Sequence, residues 1–248
     1  MTTRAPAPAV QTALDTSSAP PLVVADLEGT CTAGETWRGV GAWLTANGRR
    51  GRYRRFLAPR MAATPLVRAG LVSRQAFRDR WIADLARLLD DLDADELARV
   101  AEEVVDRHLW PGRRVAVVAE LEAAAAAGAR VAIATGTYQP VLDAFIARLV
   151  AGPAGPIAGL GTALEVAAGR TTGRLVGRIG TGSRKARRVR AWAGEERLAA
   201  AYGDSLADVP LLEMAITPVA VAPAAELRPL AVARGWRILD DVEGEPRA

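Results

Sequence analysis

Three short apolar runs in this chain each end in oxygen-bearing side chains. The first run is followed by Asp26 and Glu28, two carboxylates separated by one residue. The second run ends at Thr135, and the third ends at Asp204, with Asp208 close behind. If the runs are neighbouring parallel strands, their polar ends meet at the carboxyl edge of one sheet, where open α/β folds bind ligands. We therefore expect these five residues to share one crevice.

The carboxylate pair at the end of the first run suggests phosphoryl chemistry. A carboxylate such as Asp26 can attack phosphorus and form an aspartyl-phosphate, provided that a second group protonates the leaving oxygen and then activates water. Glu28 is placed to be that second group. A strand-end carboxylate pair on its own is more often a helix cap or part of a solvated loop than a catalytic pair, so this interpretation depends on the whole set of residues.

Carboxylates beside a phosphate dianion require cations that balance the charge. Oxygen ligands of this kind favour Mg²⁺, which accepts few carboxylates and keeps water and substrate in its coordination shell. Asp204 and Asp208 could supply ligands. The phosphate also needs hydrogen-bond donors, which Thr135 and the backbone amide of Gly136 can provide, and a fixed positive charge, which Lys185 can supply from the start of a predicted helix.

The elements that must position these residues follow an alternating pattern. From Leu22 onward, short apolar runs alternate with amphipathic stretches, which predicts βα units around a parallel sheet. Strands are predicted in the runs that begin at Leu22, Val131, Leu198, Val219 and Trp236. Helices are predicted at 36–46, 74–90, 93–108, 115–127, 141–149 and 183–193, and a hairpin at 161–175. The fold class is therefore α/β, with a Rossmann-like, doubly wound parallel sheet.

The alternation is interrupted once, after the first strand. Residues 35–108 carry helical patterns without a convincing strand, so we predict a helical cap at 35–108 inserted into a core made of 21–34 and 109–248. Residues 1–20 are rich in Ala, Pro, Thr and Ser and lack the continuous apolar centre of a secretory signal, which predicts a flexible leader.

The composition excludes several classes of function. Net charge is only +4, so a nucleic-acid partner is not implied, and we interpret the arginine-rich segment 49–55 as a solvated cap face. The most apolar stretch, 211–233, is broken by prolines and charges, so no membrane span is predicted.

The chain has one cysteine, Cys31, and one histidine, His108. These exclude a disulfide within the chain and a Cys/His zinc site, and a reducing cytoplasm is the predicted compartment.

The ordered motifs resemble the haloacid dehalogenase superfamily, in particular its phosphoserine-phosphatase-like branch, whose helical cap follows the first motif. The matching segments are DLEGT at 26–30, ATGT at 134–137, TGSRKARRV at 181–189 and YGDSLADVPLLE at 202–213. The resemblance implies Asp26 as the nucleophile and Glu28 as the general acid/base, with Mg²⁺ bound by Asp26, by Glu28 through its backbone carbonyl, and by Asp204 with Asp208 in support. It also places Thr135 and Lys185 on the phosphate.

Two further positions bear on the substrate. Glu35 lies where phosphoserine phosphatases have a glutamate that binds the amino group of the substrate, and Arg80 lies near their carboxylate-binding arginine. The resemblance therefore predicts a phosphatase that acts on a small phosphorylated metabolite, with an amino-acid phosphate such as phosphoserine as the suggested substrate.

The chain also departs from the family pattern at two positions. Glu28 stands where the family usually has aspartate, and Ala207 stands where phosphoserine phosphatases usually have asparagine. These departures leave open a non-catalytic phosphate-binding protein on the same scaffold. Phosphotransfer to an alcohol acceptor is a second alternative, because the same intermediate can be attacked by something other than water. A dehalogenase is disfavoured, because that reaction needs no metal and gives no reason for Glu28, Asp204 and Asp208 to occur together.

Overall fold

The computed structural model describes residues 20–150 and 156–240. The predicted leader at 1–20, apart from Pro20, lies outside the described residues, as do 241–248. Within the described ranges, no helix combines the length and the apolar character that a membrane crossing would require.

Eight strands are present in the described chain. They are β1 (Leu22–Ala25), β2 (Arg130–Tyr138), β3 (Ile157–Thr162), β4 (Leu164–Ala167), β5 (Arg170–Leu175), β6 (Leu198–Gly203), β7 (Ala215–Val221) and β8 (Arg237–Leu239). Six of them form a parallel sheet in the order β3-β2-β1-β6-β7-β8, and β4 pairs with β5 as an antiparallel hairpin. The predicted parallel α/β fold is confirmed.

The strand order brings the three motif-bearing strands together. β1 lies between β2 and β6, with Val23 paired to Val131 on one side and to Ala200 on the other. All four residues of β1 are buried, as expected for a central parallel strand covered on both faces. Asp26 therefore emerges at the middle of the carboxyl edge of the sheet.

Nine α-helices accompany the strands in the described residues. They are α1 (Thr36–Ala46), α2 (Arg50–Arg68), α3 (Arg74–Ala86), α4 (Ala94–Val104), α5 (Val115–Ala126), α6 (Gln139–Leu149), α7 (Ser183–Ala193), α8 (Val209–Leu212) and α9 (Leu227–Ala233). Side chains on one face of the sheet share a hydrophobic core with α5 and α6, and those on the other face pack with α7, α8 and α9. The sheet is therefore doubly wound.

The four helices α1 to α4 lie between β1 and α5 in the chain, within the segment predicted as a cap. They share one hydrophobic core with the sheet, because Val104 and Leu109 belong to the same buried cluster as Leu142 and Phe145 of α6. The predicted helix at 93–108 ends at Val104 and continues as a π-helical turn, and the one at 74–90 ends at Ala86 and continues as a 3₁₀ turn.

The secondary structure differs from the prediction at two places. Helix α2 was not predicted, because its many arginines and its two internal prolines, Pro59 and Pro65, obscure the helical pattern. Gly161 belongs to β3 of the main sheet and not to the hairpin, which begins at Leu164. The two glycines and the one alanine of β3 carry too little apolar area to mark a strand.

The hairpin is joined to the helical segment through Thr171. The Thr171 hydroxyl donates to the carbonyl of Leu89 at 2.6 Å and accepts from the amide of Leu92 at 2.9 Å. The backbone of Thr171 also accepts from the amide of Asp91 at 2.8 Å. These bonds tie the turn after α3 to the strand pair that precedes α7.

Candidate active site

The carboxyl ends of β1 and β6 place Asp26 and Asp204 side by side. The backbone N–H of Asp26 donates to the carbonyl of Tyr202 at 3.0 Å, just beyond the pairing of β1 with β6. Asp208 follows Asp204 on a 3₁₀ turn. One carboxylate oxygen from each of Asp26, Asp204 and Asp208 lies within 4.8 Å of the others. We call these three residues the carboxylate cluster.

Lys185, in the first turn of α7, reaches into the carboxylate cluster. Its Nζ donates to Oδ1 of Asp26 at 2.5 Å and to Oδ1 of Asp208 at 2.7 Å. The side chain is 6% exposed, and those of its two partners are 8% and 2% exposed. Because water scarcely screens these charges, the ammonium strongly orients both carboxylates.

Contacts close in sequence or space also define the surroundings of Asp208 and Asp204. Oδ2 of Asp208 accepts from the amide of Ser205 at 3.1 Å and from its hydroxyl at 2.8 Å. Gly29 has a φ of +91°, and a Cβ atom there would lie 2.3 Å from Oδ2 of Asp204. The glycine of the DLEGT motif therefore permits both the backbone turn and the close approach of Asp204.

Burial and neighbouring charges shift the pKa values of the side chains in and around the cluster. Burial raises the pKa of Asp26 to about 7, although Lys185 opposes this shift. Burial, followed by repulsion from Asp26 and Asp208, raises the pKa of Asp204 to about 8. For Asp208, burial is outweighed by Lys185 and Ser205, so its pKa lies below the usual value. The two carboxylates outweigh burial at Lys185 and raise the pKa of its ammonium.

The donor set of the carboxylate cluster fits a divalent metal ion. Three ionised carboxylates and one ammonium leave a net charge of −2, which one divalent cation would neutralise. All the side-chain donors are hard carboxylate oxygens, the ligand type of Mg²⁺, Ca²⁺ and Mn²⁺. Asp26, Asp204 and Asp208 are therefore the residues that could hold such an ion.

The carboxylate of Glu28 is held outside this cluster by two donors. Its Oε1 accepts from the hydroxyl of Thr137 at 2.6 Å and from the backbone N–H of Thr36 at 3.1 Å. Thr36 is the first residue of α1, and Thr137 belongs to β2. The longer stem of glutamate thus brings its carboxyl group to a junction between the helical segment and the sheet.

The predicted phosphate-binding residues lie at the end of β2. Thr135 is buried, and its Oγ1 accepts from the amide of Thr137 at 3.2 Å. A Cβ atom at Gly136 would lie 2.7 Å from Cγ2 of Thr181, so this glycine lets β2 approach the loop that leads to α7 and Lys185. Thr135, Gly136 and Lys185 thus lie on two adjacent segments.

Comparison with known proteins assigns the family. The family model for haloacid dehalogenase-like hydrolases matches residues 23–213, which span all four motif segments. The chain belongs to the haloacid dehalogenase-like hydrolase family. The predicted family and the fold that it implies are confirmed.

Individual members of the family give a finer comparison. "Phosphoserine phosphatase SerB1" of Mycobacterium tuberculosis is 41% identical over 154 residues, which cover 58% of this chain and 47% of that protein. The chain spans about half the length of the curated relatives that it matches. A crystal structure of a protein with unknown function from Bordetella pertussis Tohama I has a TM-score of 0.74 at 27% identity and covers 90% of this chain and 99% of that one. A substrate-bound phosphoserine phosphatase has a TM-score of 0.59 at 16% identity, covering 90% and 94% of the two chains.

The two predicted substrate-binding residues of this family member lie on the helical segment. Glu35 immediately precedes α1, and its Oε2 pairs with Nε of Arg38 at 2.5 Å. Arg80, on α3, is 83% exposed and lies 3.6 Å from Asp84. Within the described ranges, neither residue forms a hydrogen bond or ion pair with the carboxylate cluster. Their role toward a substrate stays a prediction.

Sequence reasoning missed the groups that orient the carboxylates. These are the side chains of Thr137 and Ser205 and the backbone of Thr36. The sequence contained a signal for Ser205, because serine followed three residues later by an acid is the pattern of a capping box. Thr137 shared a motif with Thr135, but its contact with Glu28 depends on long-range strand order.

Proposed function

We propose that this chain is a Mg²⁺-dependent phosphatase that hydrolyses a small phosphomonoester through an aspartyl-phosphate on Asp26. The observation that supports it best is the carboxylate cluster, in which a buried Asp26 is oriented by Lys185 beside Asp204 and Asp208. When bound by these carboxylates, Mg²⁺ would supply positive charge that lets an anionic phosphate approach Asp26.

The first step transfers the phosphoryl group to the protein. An oxygen of Asp26 attacks phosphorus and forms a new P–O bond, while the P–O bond to the leaving group breaks. Glu28 in its protonated form gives its proton to the leaving oxygen, so that a neutral alcohol departs. Lys185 and Thr135 stabilise the negative charge on the phosphoryl oxygens.

The second step releases the product. Glu28, now a carboxylate, removes a proton from a water molecule as the water oxygen attacks phosphorus. The bond between phosphorus and Asp26 then breaks. Inorganic phosphate leaves, Asp26 regains its carboxylate and Glu28 is again protonated, so the cycle is balanced.

An amino-acid phosphate such as phosphoserine is the substrate class that we favour. Support comes from the similarity to a relative named phosphoserine phosphatase and from the place of Glu35 at the start of α1. We also propose that 35–108 acts as the cap over the crevice. The cytoplasm is the proposed compartment, since the single cysteine, Cys31, is a buried free thiol.

The direct test measures phosphate release from p-nitrophenyl phosphate and O-phosphoserine, with Mg²⁺ and with a chelator. We expect turnover that requires Mg²⁺ and that falls by about 10³-fold or more in Asp26→Asn. Asp95→Asn, an exposed aspartate on α4, is the matched control and should behave as the parent. Metal-independent turnover, or turnover that survives Asp26→Asn, would contradict the proposal, as would phosphate binding without turnover.

A further inference from the structure

We propose that Thr137, supported by Thr36, is a positioning residue that holds Glu28 ready for proton transfer. The inference rests on the proposed function, because it concerns the residue that would move the proton. It assigns a role to two threonines outside the set of side chains that would touch the phosphate or the metal.

The three residues form a compact contact in which both threonines are buried and Glu28 is half-buried. The hydroxyl of Thr137 donates to Oε1 of Glu28 at 2.6 Å, and the amide of Thr36 donates to the same oxygen at 3.1 Å. The hydroxyls of Thr36 and Thr137 lie 3.1 Å apart. Thr36 is 4% exposed and Thr137 is 6% exposed. Water therefore has little access with which to replace either donor.

The chemistry of the groups sets the direction of these hydrogen bonds. An ionised carboxylate can only accept hydrogen bonds, so the single hydroxyl hydrogen of Thr137 must be donated to Glu28. The hydroxyl of Thr36 must then be the donor to Thr137. A chain of donors thus runs from the start of α1 through Thr137 to Glu28, and each bond polarises the next.

This arrangement distinguishes the two oxygens of Glu28. Oε1 already accepts two hydrogen bonds, whereas Oε2 has no partner within the described part of the chain. The two threonines therefore hold Oε1 and set the rotamer of the carboxyl group, which determines where Oε2 lies.

A comparison of leaving groups separates this role from a merely structural one. Phenyl phosphate releases a weakly acidic phenol and needs proton donation, whereas p-nitrophenolate departs without it. The ratio kcat/KM reports only the steps up to departure of the leaving group. We expect Thr137→Val to lower kcat/KM for phenyl phosphate about 10-fold or more, and for p-nitrophenyl phosphate by about 3-fold or less, since general acid catalysis contributes 10²–10⁴-fold.

Three further variants serve as controls for the effect of Thr137→Val. Thr137→Ser returns the hydroxyl and should recover most of the phenyl phosphate rate. Thr171→Val removes another buried threonine hydroxyl, in the hairpin, and should leave the ratio between the two substrates as in the parent. In a Glu28→Gln background, Thr137→Val should have almost no further effect on phenyl phosphate, because the proton donor is already gone.

The outcomes discriminate between the two proposals. Equal losses on both substrates in Thr137→Val, or full additivity with Glu28→Gln, would overturn the positioning role and leave the phosphatase proposal intact. If Thr137→Val does not fold, Thr137→Ala replaces it, and equal losses on both substrates in that variant would overturn the role. No Mg²⁺-dependent turnover by the parent chain would overturn both proposals.

Discussion

Glu28, the proposed acid/base residue, has a side chain one methylene longer than that of aspartate. In this chain the extra length is used, because Oε1 reaches both the Thr137 hydroxyl and the amide of Thr36. An aspartate at this position would end short of at least one of these donors. The glutamate is thus matched to its surroundings.

Shortening Glu28 should therefore be costly here, although aspartate is the usual family residue. For Glu28→Asp we expect kcat/KM for phenyl phosphate to fall by about 10-fold or more, within the range that a misplaced general acid loses. Steady-state kinetics with phenyl phosphate measures this. Parent-like activity of Glu28→Asp would show that the contacts of Glu28 do not matter for the reaction.

Gly29 gives a second prediction at this scale. Gly29→Ala would place a Cβ 2.3 Å from Oδ2 of Asp204 and would force a side chain into a φ of +91°. We expect a loss of stability of about 1–3 kcal/mol from backbone strain and a weaker thermal stabilisation by Mg²⁺, because Asp204 must move. Gly128→Ala is the matched control, since it has a similar φ of +87° and open space around its Cβ. It should share the strain and keep the response to Mg²⁺.

The strands assemble the candidate site, and much of this was predictable. The apolar runs that precede Asp26, Thr135 and Asp204 indicated parallel strands, and the order β2-β1-β6 makes their ends neighbours. Helix α2 was not predictable from periodicity, because Pro59 and Pro65 argue against a helix that tertiary packing nevertheless supports. The contact between the Thr137 hydroxyl and Glu28 was equally unpredictable, because the two residues are distant in sequence and close only in the folded chain.

Thr171 provides a test of how much the contact between the hairpin and the helical segment contributes to stability. Thr171 links β5 to the turn after α3 through two side-chain hydrogen bonds to Leu89 and Leu92. Thr171→Val should cost about 1–3 kcal/mol in the free energy of unfolding, because buried backbone groups lose their partner. Urea denaturation measures this. A parent-like midpoint would mean that the hairpin contact contributes nothing to stability.

At the scale of the whole molecule, the carboxylate cluster couples metal binding to pH. Burial raises the pKa of Asp26 to about 7 and that of Asp204 to about 8. A carboxyl group with a raised pKa stabilises the metal-free fold at low pH, and this contribution is lost as the pH rises through those values. A metal ion binds the ionised carboxylates, so its affinity for the cluster increases as the pH rises.

The increase in Tm on adding Mg²⁺ should therefore be larger at about pH 9 than at about pH 6, since both carboxyl groups are ionised at the higher pH. Thermal unfolding at the two pH values, with and without the ion, measures it. Asp204→Asn removes one titrating ligand and should flatten the difference. A stabilisation by Mg²⁺ that is equal at both values, or larger at about pH 6, would contradict the cluster as the metal site.

The central claim is that Asp26 becomes phosphorylated during turnover. The most direct measurement mixes Glu28→Gln with p-nitrophenyl phosphate and Mg²⁺, quenches in acid within the first turnovers, and maps the phosphorylated peptide by mass spectrometry. Because p-nitrophenolate leaves unaided while the Glu28→Gln variant cannot activate water, the phosphorylated protein should accumulate, with the phosphoryl group on Asp26. The same experiment with Asp26→Asn added to the variant should give no label. Release of p-nitrophenol without a phosphorylated peptide, or a label on another residue, would contradict the account.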